Sequence, residues 1–263
     1  MTYFGFLLRF LVIPLGVLLY LVLVDEQRYP PMKHFQNGRR VWGIIALHVA
    51  LAVIYTTPWD NYLVANGVWS YNPELVSGVV LGYVPLEEYL FFVLETLLAG
   101  LWWWFLARRL PEPLQFMPSK AGRLLAFGVL FLLWAISAFL LFGGEPRWTY
   151  LSIILFWALP AIFPQFLIGA DILWHYRKLV SLGILVPGTY LSLMDIVALR
   201  ATTWSISPFH TTGVLFFGIL PLEEAVFFFI TNVLIIFGMT LMLSNHCRER
   251  FFAWKGRGFR GFP

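Results

Sequence analysis

Residues 85–92 read Pro-Leu-Glu-Glu-Tyr-Leu-Phe-Phe, and residues 221–228 read Pro-Leu-Glu-Glu-Ala-Val-Phe-Phe. Both octets lie inside long apolar runs. Placing a carboxylate at bilayer depth costs at least about 2.5–3.5 kcal/mol, so Glu87, Glu88, Glu223 and Glu224 are expected to line a pathway or a reaction site. The surrounding chain is 60% hydrophobic and 12% charged, with a mean hydropathy of +0.77, outside the range of ordinary soluble domains. These values define an all-α integral membrane protein.

A spanning helix needs about 20 mainly apolar residues. Seven runs qualify, at roughly 4–24, 41–56, 76–107, 122–142, 149–170, 180–199 and 213–243. The first has an acidic exit at Asp25-Glu26 and neither a basic start nor a small-residue cleavage site, so it reads as a span rather than a cleaved signal. The third and seventh carry the octets and overshoot a ~30 Å hydrocarbon core at 1.5 Å rise per residue. Each is expected to tilt, to kink at Pro85 or Pro221, or to begin as an irregular segment, because proline lacks the helix donor.

The formal charge of +4 comes from basic residues in the gaps between spans, so it marks topology and not nucleic-acid binding. Arg28, Lys33, Arg39, Arg40, Arg108, Arg109, Lys120, Arg123, Arg177, Lys178, Arg248, Arg250, Lys255, Arg257 and Arg260 fall on one side, and Arg9, Arg147 and Arg200 on the other. The bias predicts an N-terminus outside and a C-terminus in the cytoplasm. Asp25 and Asp171 then lie on the basic side, where Arg28, Arg177 and Lys178 are their expected partners. The tail mixes these cations with Phe251, Phe252, Trp254, Phe259 and Phe262, the composition of a membrane-surface segment.

The repetition is wider than the octet. Pro14 precedes Asp25 by as many residues as Pro160 precedes Asp171, and Asp60 precedes Trp69 as Asp195 precedes Trp204. Each Trp-Ser is followed by a proline, Pro73 or Pro208. Spans one to three therefore match spans five to seven, and an extra fourth span makes the two copies parallel. The expected division is 1–109 for the first repeat, 110–146 for a linker with span four, 147–245 for the second repeat and 246–263 for the tail. The linker holds Pro111, Pro113 and Pro118.

On a helix Glu88 and Glu95 share a face, Glu87 is rotated by about 100°, and Phe91 and Phe92 lie one turn away. Phe227, Phe228 and Thr231 hold the matching places in the second copy. Paired carboxylates in a dry site can share one proton and so supply an acid and a base. Aromatic faces stabilise a passing cation. Together they suit protonation of an alkene in a lipid-soluble polyene, followed by deprotonation elsewhere.

The doubled Pro-Leu-Glu-Glu-x-x-Phe-Phe motif, Thr57-Pro58-Trp59-Asp60-Asn61 before Trp69, and Asp195 with Trp204 before Thr231-Asn232 resemble the membrane-embedded, cofactor-independent lycopene cyclases. The likeness is to the fused form of the two-subunit bacterial type, like the archaeal enzymes and the cyclase domain of fungal bifunctional proteins. It implies cyclisation of the linear ends of lycopene to β-ionone rings, giving γ-carotene and β-carotene, in the cell membrane without a cofactor or metal. It also implies Glu87, Glu88, Glu223 and Glu224 as the acid–base carboxylates and Asp60, Asp195 and Glu95 as supporting acids. Phe91, Phe92, Phe227, Phe228, Trp69 and Trp204 are the expected substrate lining. Lycopene and membrane lipid are the implied partners, and association with other carotenoid enzymes is compatible with the likeness.

Each residue has a blander reading. The glutamate pairs can bridge packed helices, although neither long span holds a basic partner. Asp60 and Asp195, placed at span ends, can act as caps, and Trp69 and Trp204 can be interfacial anchors. His34, His48, His175, His210 and His246 are scattered and suggest no metal site, while Cys247 alone forms no disulfide. Lys33, Lys120, Lys178 and Lys255 lie in loops or the tail, which excludes a retinal Schiff base in a span. No dinucleotide fingerprint and no paired Asp-rich diphosphate motif appears. Two rivals remain: a carotenoid hydratase that quenches the same cation with water, and a proton-coupled transporter.

Overall fold

A computed structural model describes residues 1–111 and 115–256, without the side chains of 255 and 256. Seven helices are long and apolar enough to cross a membrane, which establishes an all-α multi-pass protein. They are α1 (Tyr3–Arg28), α2 (Arg39–Ala65), α3 (Leu86–Arg109), α4 (Lys120–Phe142), α5 (Thr149–His175), α6 (Arg177–Arg200) and α7 (Leu222–Leu243). A further helix, α8 (Asn245–Gly256), opens the tail. The tail residues Arg257, Phe259, Arg260 and Phe262, and Pro113 of the linker, lie outside the described residues.

The two helices that carry the octets are the most enclosed. In its most apolar stretch α3 is 61% buried and α7 is 56% buried, whereas α4 is 6% buried. Carboxylates in the bilayer need such enclosure, and α3 and α7 provide it at the centre, where they pack on each other and on α2, α5 and α6. Helix α4 lies at the periphery against α5.

The third and seventh spans begin later than their hydropathy predicts. Residues 76–85 and 213–221 do not continue the helices. They hold two short antiparallel hairpins, β2 (Val80–Leu81) with β3 (Val84–Pro85), and β5 (Leu215–Phe216) with β6 (Leu220–Pro221). Of the three expected solutions to the excess length, an irregular entry is the one adopted. Pro85 and Pro221 become the helix N-caps at φ −68° and −58°, where the missing donor costs nothing. The two acidic residues that follow then sit in the first turn, favoured by the helix dipole.

Upstream of the hairpins, β1 (Trp69–Tyr71) pairs antiparallel with β4 (Trp204–Ile206) in the register Trp69↔Ile206, Ser70↔Ser205 and Tyr71↔Trp204. Each strand thus borrows its partner from the other half of the chain. A second correspondence is offset by one residue. Tyr3 and Asp25 are twenty-two positions apart, Tyr150 and Asp171 twenty-one. The extra residue is taken up by a π-helical turn at Leu8–Val12 in α1, which widens the helix locally and keeps both ends in step.

Ion pairs around two aspartates tie the far ends of the helices. Asp25 meets Arg109, and Asp171 is held by Arg250 at 2.8 Å with Arg123 at 3.8 Å. Ion pairing was expected here, but with Arg28, Arg177 and Lys178; the partners instead come from the end of α3, the start of α4 and the tail helix. Asp60 and Asp195 are corrected more fully. They lie inside α2 and α6, 0% and 1% exposed: α2 continues to Ala65, well past its predicted end, and Asp195 stands more than a turn before the end of α6 at Arg200.

Candidate active site

The first turns of α3 and α7 separate neighbouring glutamates. A step of about 100° along the helix turns Glu87 back toward its own hairpin loop, where it accepts from the Ser77 amide at 2.6 Å and the Ser77 hydroxyl at 3.1 Å. Glu223 does the same with the Thr212 amide at 2.7 Å. Glu88 and Glu224 turn inward. Glu88 accepts a short hydrogen bond from the Tyr3 hydroxyl, and Glu224 accepts from the Tyr150 hydroxyl at 2.6 Å.

Both inward glutamates line one small chamber of about 40 Å³, together with Asp195, Tyr71 and the aromatic walls Trp69, Trp204, Phe91, Phe227 and Phe228. The two halves are interleaved in it. Tyr3 packs on Trp204 with ring centroids 4.9 Å apart, while Tyr150 packs on Trp69 at 5.3 Å. Phe91 and Phe228 meet across the α3–α7 seam at 6.2 Å. Trp204 also donates from Nε1 to Asp195 at 2.8 Å, whereas neither oxygen of Asp60, nor the second oxygen of Asp195, has a partner among the described residues. Buried polar atoms are ordinarily paired, so such orphans concentrate at working sites. Tyr71, on β1 outside the helices, is held protonated: burial first, then the Glu88 charge, pushes its phenol well above the usual tyrosine range.

Structure thus gathers Glu88, Glu224, Asp195, Trp69, Trp204, Phe91, Phe227 and Phe228 and turns Glu87 and Glu223 away to bond the loops. Glu95 and Phe92 face a different space. Glu95 accepts from Thr231 at 2.7 Å, and with Phe92 it lines a cleft between α2, α5 and α7. Sequence reading missed Tyr3, Tyr71 and Tyr150. Tyr3 and Tyr150 carried a signal, but the one-residue offset absorbed by the π turn hides their equivalence. Among the described residues no group of three His, Cys, Asp or Glu side chains is placed to hold a metal ion.

The buried chamber sets paired glutamates and tyrosines, groups that can give and take protons, among aromatic walls suited to an apolar molecule, within a seven-helix membrane protein. The lycopene β-cyclase of Halobacterium salinarum is 38% identical over 205 residues, covering 75% of this chain and 81% of that one. Bifunctional lycopene cyclase/phytoene synthases of Podospora anserina and Gibberella fujikuroi are each 34% identical, over 73% and 89% of this chain and 34% and 39% of their own length. No protein-family model and no solved structure matches the chain. The chain belongs to the lycopene cyclase family, and it is an enzyme of that intramolecular, cyclising class.

Proposed function

We propose that the protein is a lycopene β-cyclase that converts the linear ends of lycopene to β-ionone rings by proton transfer within the chamber. The observation that carries this reading is the meeting of two glutamate–tyrosine pairs, one from each octet, among aromatic walls. An acid delivers a proton to the terminal double bond of the polyene, leaving a tertiary cation. The next double bond attacks that cation and closes the ring, so the positive charge moves to a ring carbon. A base then removes a proton from the adjacent carbon, restoring an alkene with no net change in atoms or electrons. Glu88 and Glu224 are the carboxylates placed for the two transfers, with Asp195 beside them and Asp60 in support. Phe91, Phe227, Phe228, Trp69 and Trp204 present faces that stabilise the migrating charge. Tyr3 and Tyr150 orient the glutamates, and Glu87 and Glu223 hold the hairpins that position them.

The same reading takes residues 1–109 and 147–245 as parallel repeats joined by 110–146. The matched hairpins, tyrosines and carboxylates support it. It places the enzyme in the plasma membrane with its N-terminus outside and its C-terminus cytoplasmic, on the charge bias of the loops.

Expression in a lycopene-accumulating host tests the activity. Cyclic products of unchanged mass are expected, and Glu88→Gln or Glu224→Gln should lower their formation by about 10²–10⁴-fold, the usual span of general acid–base catalysis. Unaltered lycopene with well-inserted wild-type protein rejects the assignment, and a product heavier by one water indicates hydration instead.

A further inference from the structure

The chamber, at about 40 Å³, is too small for a polyene, so the substrate chain must lie elsewhere. The cleft between α2, α5 and α7 has about 550 Å³, within the range of small-molecule sites. Phe227 belongs to the walls of both spaces, so its ring stands between Glu88 and Glu224 on one side and the cleft on the other. From Phe227 the cleft follows α7 to Met242, on the order of 22 Å at the helical rise. An extended carbon chain advances ~1.2 Å per bond, so the cleft accepts somewhat over half of a lycopene backbone. Its wall is open sideways: Leu51, Ile168 and Met242 are 51%, 46% and 44% exposed on faces that a bilayer would cover.

The two halves of the chain differ here. Counting from the octets, the place of Gly238 in the second half is taken by Trp102 in the first, and that of Leu241 by Phe105. Trp102 stacks on Phe105 at 5.5 Å and donates to the Leu182 carbonyl of α6 at 3.0 Å. Large rings thus occupy that place in the first half, whereas in the second Gly238 lets the His48 ring pack close against α7, both lining the cleft. Tyr55 and Trp157 clasp the open cleft near its Phe227 end by reciprocal hydrogen bonds of 2.8 and 3.0 Å to each other's carbonyls.

We infer that this cleft is the single polyene channel: lycopene enters sideways from lipid between α2 and α5, lies along α7, and presents one end to Glu88 and Glu224 past Phe227. The inference rests on the cyclase reading above. One channel admits one end, so a second ring requires the monocyclic product to leave and return reversed.

Filling the cleft tests this. Ala161→Phe on α5 and Ala52→Phe on α2 add bulk to opposite walls, and Leu15→Phe alters the place on α1 that matches Ala161. In a Glu224→Gln background purified from a lycopene-accumulating host, bound lycopene per protein should fall about tenfold with either alanine replacement and stay unchanged with Leu15→Phe. Turnover in the otherwise native enzyme should follow the same order. If one alanine variant fails to accumulate, the other carries the test. Full binding and turnover in a well-inserted cleft variant overturns the channel while leaving the cyclase assignment intact; full activity of Glu88→Gln and Glu224→Gln removes the chamber assignment instead. In a pulse of labelled lycopene chased with excess unlabelled lycopene, label should collect in the monocyclic product. Passage of label into the bicyclic product without dilution overturns the single channel.

Discussion

A turn of about 100° per residue divides Glu87 from Glu88 and Glu223 from Glu224, and the division extends to the residues that hold each of them. The outward members fasten backbone amides of the hairpin loops, a role that needs an acceptor at a fixed place. The inward members face phenols. A hydrogen bond to a charged group contributes about 1.5–3 kcal/mol to stability, and losing it leaves a buried glutamate oxygen without its donor, so Tyr150→Phe is expected to lower thermal stability and, if the phenol orients Glu224, to slow cyclisation by about 10- to 100-fold in membranes assayed with lycopene at equal folded protein. A rate equal to wild type would show that Tyr150 does not orient Glu224. The doubled octet made all four glutamates visible in the sequence. It could not assign their partners, because Tyr3 and Tyr150 lie in other helices and a phenol in an apolar run looks like any packed aromatic.

Among the elements, the spans were legible because twenty apolar residues have few alternatives in a bilayer. Their starts were not. Val79, Val80 and Leu81, like Val214, Leu215 and Phe216, prolong the hydropathy of the helix that follows, and strands of two residues leave no alternating pattern to read. The π turn was equally hidden, since it changes the count of residues and not their character. It carries a prediction. Deleting one residue from Leu8–Val12 should regularise α1 and leave Tyr3 and Asp25 spaced as Tyr150 and Asp171 are, with lycopene conversion retained. Deleting one residue at the matching level of α5, near Phe156, has no such slack and should abolish conversion. Equal loss in both, measured at equal membrane abundance, would assign the π turn a role beyond spacing.

For the molecule as a whole, two features were beyond the sequence. One is the asymmetry between Trp102 and Gly238, which only acquires meaning once α6 is seen to lie against Trp102. The other is the ladder of β1 and β4, a contact between distant halves with Ser70 paired to its own counterpart, Ser205. Trp69 and Tyr71 on one strand and Trp204 and Ile206 on the other form part of the chamber wall, so that wall is fixed by backbone hydrogen bonds. This bears on energy coupling. On the proposed mechanism one carboxylate gives a proton and another takes one from the ring, so once that proton is passed back between them the cycle draws none net from either aqueous phase and needs no membrane potential. Collapsing the proton gradient of vesicles with an uncoupler should leave the initial rate of lycopene conversion unchanged at constant pH; a rate that falls with the gradient would mean that the chamber exchanges protons across the membrane during turnover.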